Sequence, residues 1–334
     1  MKTPRKAYIK SVGRFLPERR LTNKDFEKMV DTTDEWIVTR TGIRERRILE
    51  PGLGNSYMAT RAAKECLERA GVAPETVDAI IVATVTPDMF FPSTACLVQR
   101  DIGAKKAWGF DLSAGCSGFV FGLATAAQFV ESGRYERVLV IGSDVMSTII
   151  DYTDRNTCVL FGDAAGAVLV ETCPEEGFGI LDFILHCDGS GEPYLHMKAG
   201  GSRKPASIET VQNREHYVYQ EGRPVFKVAV SEMAAVTEAI IRKNGLQGED
   251  VAFLLPHQAN LRIIQACAER AGIPMEKVVV NIDRYGNTTA ATIPLCLYEI
   301  INEEKRVKKG DYLVMSAFGA GFTWGSILIK WWEQ

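Results

Sequence analysis

The sequence predicts an α/β fold built from two similar halves, each with a central sheet covered by helices. Short apolar runs of the kind found in strands buried on both faces alternate with helical stretches. The same order of helix and strand then returns in the second half of the chain, at too long a period for a solenoid of short repeats. The chain has 334 residues and is 46% hydrophobic, enough for one large domain or two packed intimately together.

In the first half, a helix is expected from Asn55 to the glycine at 71, which ends it. Residues 77–85 (VDAIIVATV) read as a buried strand, 93–102 as a helix, 107–112 as a strand, 117–132 as a helix rich in small residues, and 138–142 as a strand. In the second half, 225–245 reads as helix, 251–255 as strand, 261–271 as helix, 278–282 as strand and 288–304 as helix. Pro294 inside this last helix breaks a local rule and predicts a kink or a missing hydrogen bond. The segment KKGDYLVMS then repeats the helix-to-strand entry seen at GRYERVLVIGS. The two halves are placed at 1–175 and 176–334.

A net charge of -3 gives no global attraction to nucleic acid or to a membrane surface. No run approaches the roughly 20 apolar residues of a membrane span, so a soluble, cytoplasmic protein is expected. The eight cysteines include no Cys-x-x-Cys pair and no cluster with histidine, which argues against a disulfide framework or a zinc site.

Cys116 differs from the other cysteines in its surroundings. In DLSAGCSGFVFG it sits on a glycine-flanked turn between a strand and a helix, where free amides and the helix dipole favour a thiolate. Its own N–H could serve a developing oxyanion. Taken singly, a cysteine is more often a small buried apolar residue. When the halves are aligned by register, Cys116 falls opposite Asn287, and the loop after VDAIIVATV falls opposite the loop carrying His257. His257 alone would read as a hydrogen-bonded loop histidine, and Asn287 as a turn or cap residue. A pseudo-twofold arrangement brings all three to one place.

Five segments, DEWIVTRTGIRER, DLSAGCSGF, LLPHQANLRI, RYGNTTAATIP and FGAGFTWGS, closely resemble the β-ketoacyl-[acyl-carrier-protein] synthase III family of the thiolase superfamily, in order and almost end to end. The resemblance implies the five-layered α-β-α-β-α thiolase fold of duplicated halves, a homodimer, and a catalytic Cys116–His257–Asn287 triad. It implies acylation of Cys116 by acetyl-CoA or another short acyl-CoA. Decarboxylation of malonyl-[acyl-carrier protein] would follow, with His257 and Asn287 holding the enolate oxygen. No cofactor is implied, CoA being part of a substrate. The carbonyl oxygen of acyl-Cys116 would be held by the Cys116 N–H and an N–H of the loop 318–322, where Ala320 replaces a glycine common in the family.

Trp36 and Arg40, one helical turn apart, share a face suited to an adenine and a phosphate, or simply to a cation–π pair with each other. The resemblance assigns Thr32, Trp36, Arg40, Arg155 and Asn260 to the CoA channel. Arg155 read by itself would pair with Asp154 or Asp151, and Asn156 stands where relatives often carry glycine. Lys227 and Arg262 resemble carrier-protein docking positions. Phe91, Phe226 and Phe318 are expected around acyl pockets, Phe91 capping that of a partner subunit. The polar, glycine-rich stretch 188–224 is longer than ordinary connections and is expected to border the cavity.

Two other classes compete. A biosynthetic thiolase would carry a second catalytic cysteine near its C-terminus, and GAGFTWG has none. A non-catalytic CoA-binding scaffold would have lost the nucleophile or the histidine. A condensing enzyme of specialised metabolism, using a different acyl-CoA, is the closer alternative.

Overall fold

The computed structural model describes residues 6–332. Strands β1 (Ala7–Phe15), β2 (Ala79–Ala83), β3 (Trp108–Leu112), β4 (Val138–Asp144) and β5 (Ala164–Thr172) form one sheet in the order β1-β5-β4-β2-β3. Strands β6 (Gly179–Cys187), β7 (Val251–Pro256), β8 (Tyr312–Gly319) and β9 (Thr323–Lys330) form a second, in the order β6-β9-β8-β7. From either first strand the pairings run antiparallel, antiparallel, parallel. The expected repeat is therefore visible in strand order and direction.

The fifth place differs between the halves. The first sheet has β3 there, whereas the strand expected over 278–282 shrinks to a single parallel bridge between Leu254 and Val278. Gln258 diverts the chain. Its amide donates to the Val279 carbonyl at 3.0 Å, and its Oε1 accepts the Asn281 N–H at 3.0 Å and the Ile282 N–H at 3.2 Å, turning the backbone into a short helix at Ile282–Tyr285.

The main helices are α1 (Asp34–Thr41), α2 (Asn55–Ala70), α3 (Thr94–Ile102), α4 (Gly118–Glu131), α5 (Gly222–Lys243), α6 (Leu261–Ala271) and α7 (Thr292–Tyr298). Strand periodicity sets the layers: Ile80 and Val82 face Met58, Ala62 and Val98 of α2 and α3, while Ile81 between them faces inward. There Phe119 and Leu123 of α4 and Ile293 and Leu297 of α7 pack with Val140 of the first sheet and Leu255, Met315 and Ile327 of the second. On the far side, Met233 and Ile240 of α5 and Ile264 and Cys267 of α6 cover Leu254, Val314 and Leu328. The result is five layers, α-β-α-β-α. Helix α4 is apolar around its circumference because both its faces are buried.

The stretch 288–304 is not one regular helix. A 3-10 turn at Thr289–Ala291 leads into α7, and a π-turn follows at Glu299–Glu303. Pro294 falls third in the α-helical part and, having no N–H, makes no bond back to Ala290; the change from 3-10 to α geometry falls just ahead of it. A second irregularity sits at buried Glu299, which accepts hydrogen bonds from Arg284 at 2.9 and 3.0 Å, Tyr285 at 2.9 Å and Asn281 at 3.0 Å. The stretch 188–224 is folded: a 3-10 segment at Gly189–Tyr194, paired short strands Leu195–Met197 and Val218–Gln220, and a helical turn at Ile208–Gln212.

Candidate active site

Cys116 occupies the 3-10 turn Gly115–Ser117, which feeds directly into α4. Gly115 takes φ +54°, and a Cβ there would come within 2.7 Å of the Ala320 nitrogen. Gly319, at the end of β8, lies against the Cys116 amide so closely that a Cβ would overlap it. The backbone at 319–320 is thus pressed onto the turn that carries the thiol. Ala320 is accommodated because its neighbour across this contact is a glycine.

Although open to the cavity, the Cys116 thiol lies deep, and burial, reinforced by the negative charge of Asp144, pushes its pKa up to about 12. Desolvation outweighs the opposing hydrogen bonds from its own backbone and from Asn287.

His257 follows β7 and is only 2% exposed, with its backbone N–H bound to the Ser316 carbonyl at 2.8 Å. Its Nδ1 lies 2.8 Å from the Thr292 hydroxyl, while Nε2 is buried without a protein partner and the residue lines the cavity. Burial depresses its pKa to about 3, so the ring is neutral at physiological pH. The resting pair is therefore a thiol and an uncharged imidazole.

Asn287 is held by its backbone between the Leu160 carbonyl at 2.9 Å and the Gly162 N–H at 3.0 Å. Its side-chain oxygen accepts the Thr289 N–H at 2.9 Å, which leaves the NH2 group for the Cys116 sulfur. The turn carrying Asn287 packs against the turn carrying Cys116, with Gly118 facing Ala290. Cys116, His257 and Asn287 all line one cavity of about 1040 Å³.

The mouth of this cavity is built by α1 and α6. Gly42, in the left-handed region, ends α1, and Arg40 stacks over the Trp36 indole at 4.7 Å from its centroid. Arg155 stacks over the same ring at 4.9 Å and pairs with Asp31 at 3.3 Å. Its expected pairing with Asp151 or Asp154 is corrected: Asp151 is engaged by Arg214, and Asp154 is folded onto Asn156 and Thr157. Asn260 caps α6 by accepting the Arg262 N–H at 2.9 Å and donates to the Arg40 carbonyl at 2.8 Å, tying the two halves together at the mouth.

Trp36, Arg40 and Asn260 line the cavity, as do Phe226, Phe318 and Arg262. Arg262 stacks over Phe226 at 4.9 Å, and Lys227 is exposed on the same helix as Phe226. Thr32 lies before α1, its hydroxyl buried without a partner. Phe91 is not part of this chain's cavity. Its loop runs outward, leaving Phe91 85% and Phe90 83% exposed.

Three residues next to the site were not singled out from the sequence: Asp144, Thr289 and Thr292. Asp144 carried one usable signal, a lone carboxylate closing the apolar run VLVIGSD. The threonines carried none, since hydroxyls at a helix start usually serve as caps.

Residues 110–189 match the family described as 3-oxoacyl-[acyl-carrier-protein] synthase III, and residues 241–331 match its C-terminal domain. A β-ketoacyl-[acyl-carrier-protein] synthase III of Chlorobaculum tepidum is 55% identical over 328 residues, 98% of this chain and 99% of its own. Among solved structures, the 3-oxoacyl-[acyl-carrier-protein] synthase III of Aquifex aeolicus is 48% identical with a TM-score of 0.89, covering 97% of this chain and 100% of the other. The priming β-ketosynthase of the R1128 polyketide pathway is 34% identical with a TM-score of 0.90, covering 100% and 99%.

The layered, duplicated fold with a cysteine at the junction of its halves defines a condensing acyltransferase of the thiolase fold. Within that class, the chain belongs to the β-ketoacyl-[acyl-carrier-protein] synthase III family.

Proposed function

We propose that the protein joins a short acyl-CoA, acetyl-CoA in the first instance, to malonyl-[acyl-carrier protein], giving 3-oxoacyl-[acyl-carrier protein], CoA and CO2 and so opening fatty-acid synthesis. The observation that carries this reading is the meeting of Cys116, the unpartnered Nε2 of His257 and the Asn287 amide in one cavity. The mouth of that cavity presents an indole flanked by two guanidinium groups.

Cys116 sulfur attacks the acyl-CoA carbonyl, and CoA leaves with the thiol proton. Trp36, Arg40, Arg155 and Asn260 hold the CoA portion, while Thr32, its hydroxyl buried, stands ahead of Trp36 at the start of α1. Malonyl thioester then loses CO2, and the electron pair of the broken carbon–carbon bond passes into an enolate. The Asn287 NH2 holds its oxygen together with His257, in the tautomer that carries its proton on Nε2 and accepts the Thr292 hydroxyl at Nδ1. The enolate carbon attacks acyl-Cys116, whose oxygen turns toward the Cys116 N–H and the backbone at 319–320. Collapse releases the product and the Cys116 thiolate, which takes up one proton. Phe226 and Phe318 border the acyl chain, Lys227 and Arg262 offer positive charge to the acidic carrier protein, and Phe91 reaches a second copy of the chain in a homodimer. Similarity to a polyketide-priming enzyme makes a specialised primer the second reading.

Intact-protein mass spectrometry after mixing with acetyl-CoA tests the first half-reaction. Cys116→Ser should gain no acetyl group, and an adduct equal to the parent's would sink the nucleophile assignment. A series of acyl-CoAs of increasing length and branching, with malonyl-[acyl-carrier protein] constant, separates the two readings of the primer.

A further inference from the structure

Beside Cys116 and Asn287 lies a fully buried carboxylate that no lysine or arginine pairs with among the described residues. Asp144 closes β4. Its Oδ1 accepts from the Thr84 hydroxyl at 2.9 Å, the Val85 N–H at 2.8 Å, and the Thr86 N–H and hydroxyl at 3.2 and 3.0 Å. Its Oδ2 accepts from the Thr289 hydroxyl and from the Ala290 N–H at 3.3 Å. Every one of these partners can donate, and the Val85, Thr86 and Ala290 N–H groups can only donate, which suits an ionised carboxylate.

Thr289 is the hub of this network. It takes φ +50°, a region that β-branched residues rarely enter. Its hydroxyl is tied back to Asp144, its N–H meets the Asn287 oxygen at 2.9 Å, and its carbonyl lies 3.1 Å from the Thr292 hydroxyl that touches His257. An amide has two chemically opposite ends, and the Thr289 N–H engages the oxygen end from behind. A flipped Asn287 would set NH2 against N–H at Thr289 and turn its oxygen toward any anion in the cavity.

We propose that Asp144 and Thr289 are positioning residues that fix the polarity of the site, holding Asn287 with its NH2 toward the substrate oxygen. The inference rests on the enolate-holding role proposed above for Asn287. Asp144 acts through the hydroxyl of Thr289, and Thr289 acts through its own backbone N–H.

The test compares Thr289→Val, which deletes the hydroxyl at similar volume, with Thr289→Ser, which keeps it. CO2 release from malonyl-[acyl-carrier protein] and acetylation of Cys116 are measured separately, with kcat and KM for each and a thermal melt as the folding control. Thr289→Val should lose about 10- to 100-fold in kcat for CO2 release, the scale expected for misplacing one donor or its support. KM and Cys116 acetylation should stay within about threefold, and Thr289→Ser should recover most of the loss. Adding Thr289→Val to Asn287→Ala should cost nothing further in CO2 release. Thr289→Gly relieves the left-handed strain while removing the hydroxyl, and should show the same loss in a folded protein. Parental CO2 release in Thr289→Gly or Thr289→Val, equal losses in both half-reactions, no recovery with serine, or additivity with Asn287→Ala would each overturn the relay. If Asn287→Ala itself leaves CO2 release intact, the enolate reading fails instead.

Discussion

Nδ1 of His257 lies 2.8 Å from the hydroxyl of Thr292, and that contact leaves Nε2 as the ring nitrogen that meets the substrate. The ring is neutral because burial moves its pKa from 6.5 to about 3. Stability is linked to that shift. Above pH 6.5 neither folded nor unfolded chain protonates this ring, whereas below it the unfolded chain takes a proton that the native state refuses. The native advantage therefore erodes as pH falls from 6.5 toward 3, by at most about 1.4 kcal/mol per pH unit. His257→Gln should lose less melting temperature than the parent between pH 7 and pH 5. Parallel melting curves for the two proteins would contradict the burial argument.

Cys116 should behave as a slow nucleophile in the free enzyme. With its thiol pKa pushed up to about 12, the rate of alkylation by iodoacetamide should keep rising with pH through 9. A plateau at neutral pH, read from mass-spectrometric adduct formation, would show a thiolate already present at rest.

Gly115→Ala should be severe despite its small size. The added methyl meets the Ala320 nitrogen at 2.7 Å, and the residue must keep φ +54°. A loss of about 1–3 kcal/mol in stability is expected from the backbone alone, together with a fall of about 100-fold or more in condensation as Cys116 moves. Thermal melts and steady-state rates check both. Parental values for both would mean that the 319–320 backbone is free to yield.

At the mouth, Trp36→Ala should raise KM for acyl-CoA by about tenfold and leave kcat within about threefold. Arg40 and Arg155 stack on the indole at 4.7 and 4.9 Å, and a contact to the CoA end, remote from the reacting carbons, would count equally in ground and transition states. A change in kcat with KM intact would place the indole nearer the chemistry than the mouth.

Much of this arrangement was legible in residue order. Strands buried on both faces announce themselves as unbroken apolar runs, and the helix that carries Trp36 and Arg40 is where their spacing put it. Cys116 stood out by its glycines, and the repeat supplied its counterpart at Asn287. What sequence could not show was set by side chains acting at a distance. Gln258 removes a strand from 278–282, and Arg214 takes Asp151 from Arg155. Asp144 and Thr289 escaped notice because a carboxylate or a hydroxyl gains its meaning only from what is buried against it.

The matching strand orders of the two sheets have an evolutionary corollary. Were each half a separate polypeptide associating as a symmetric pair, the residues now at 116 and 287 would be identical, two thiols or two amides face to face. Covalent fusion lifts that constraint. Each copy of the position is then free to drift toward a separate task, and one turn has come to carry sulfur while its twin carries a carboxamide.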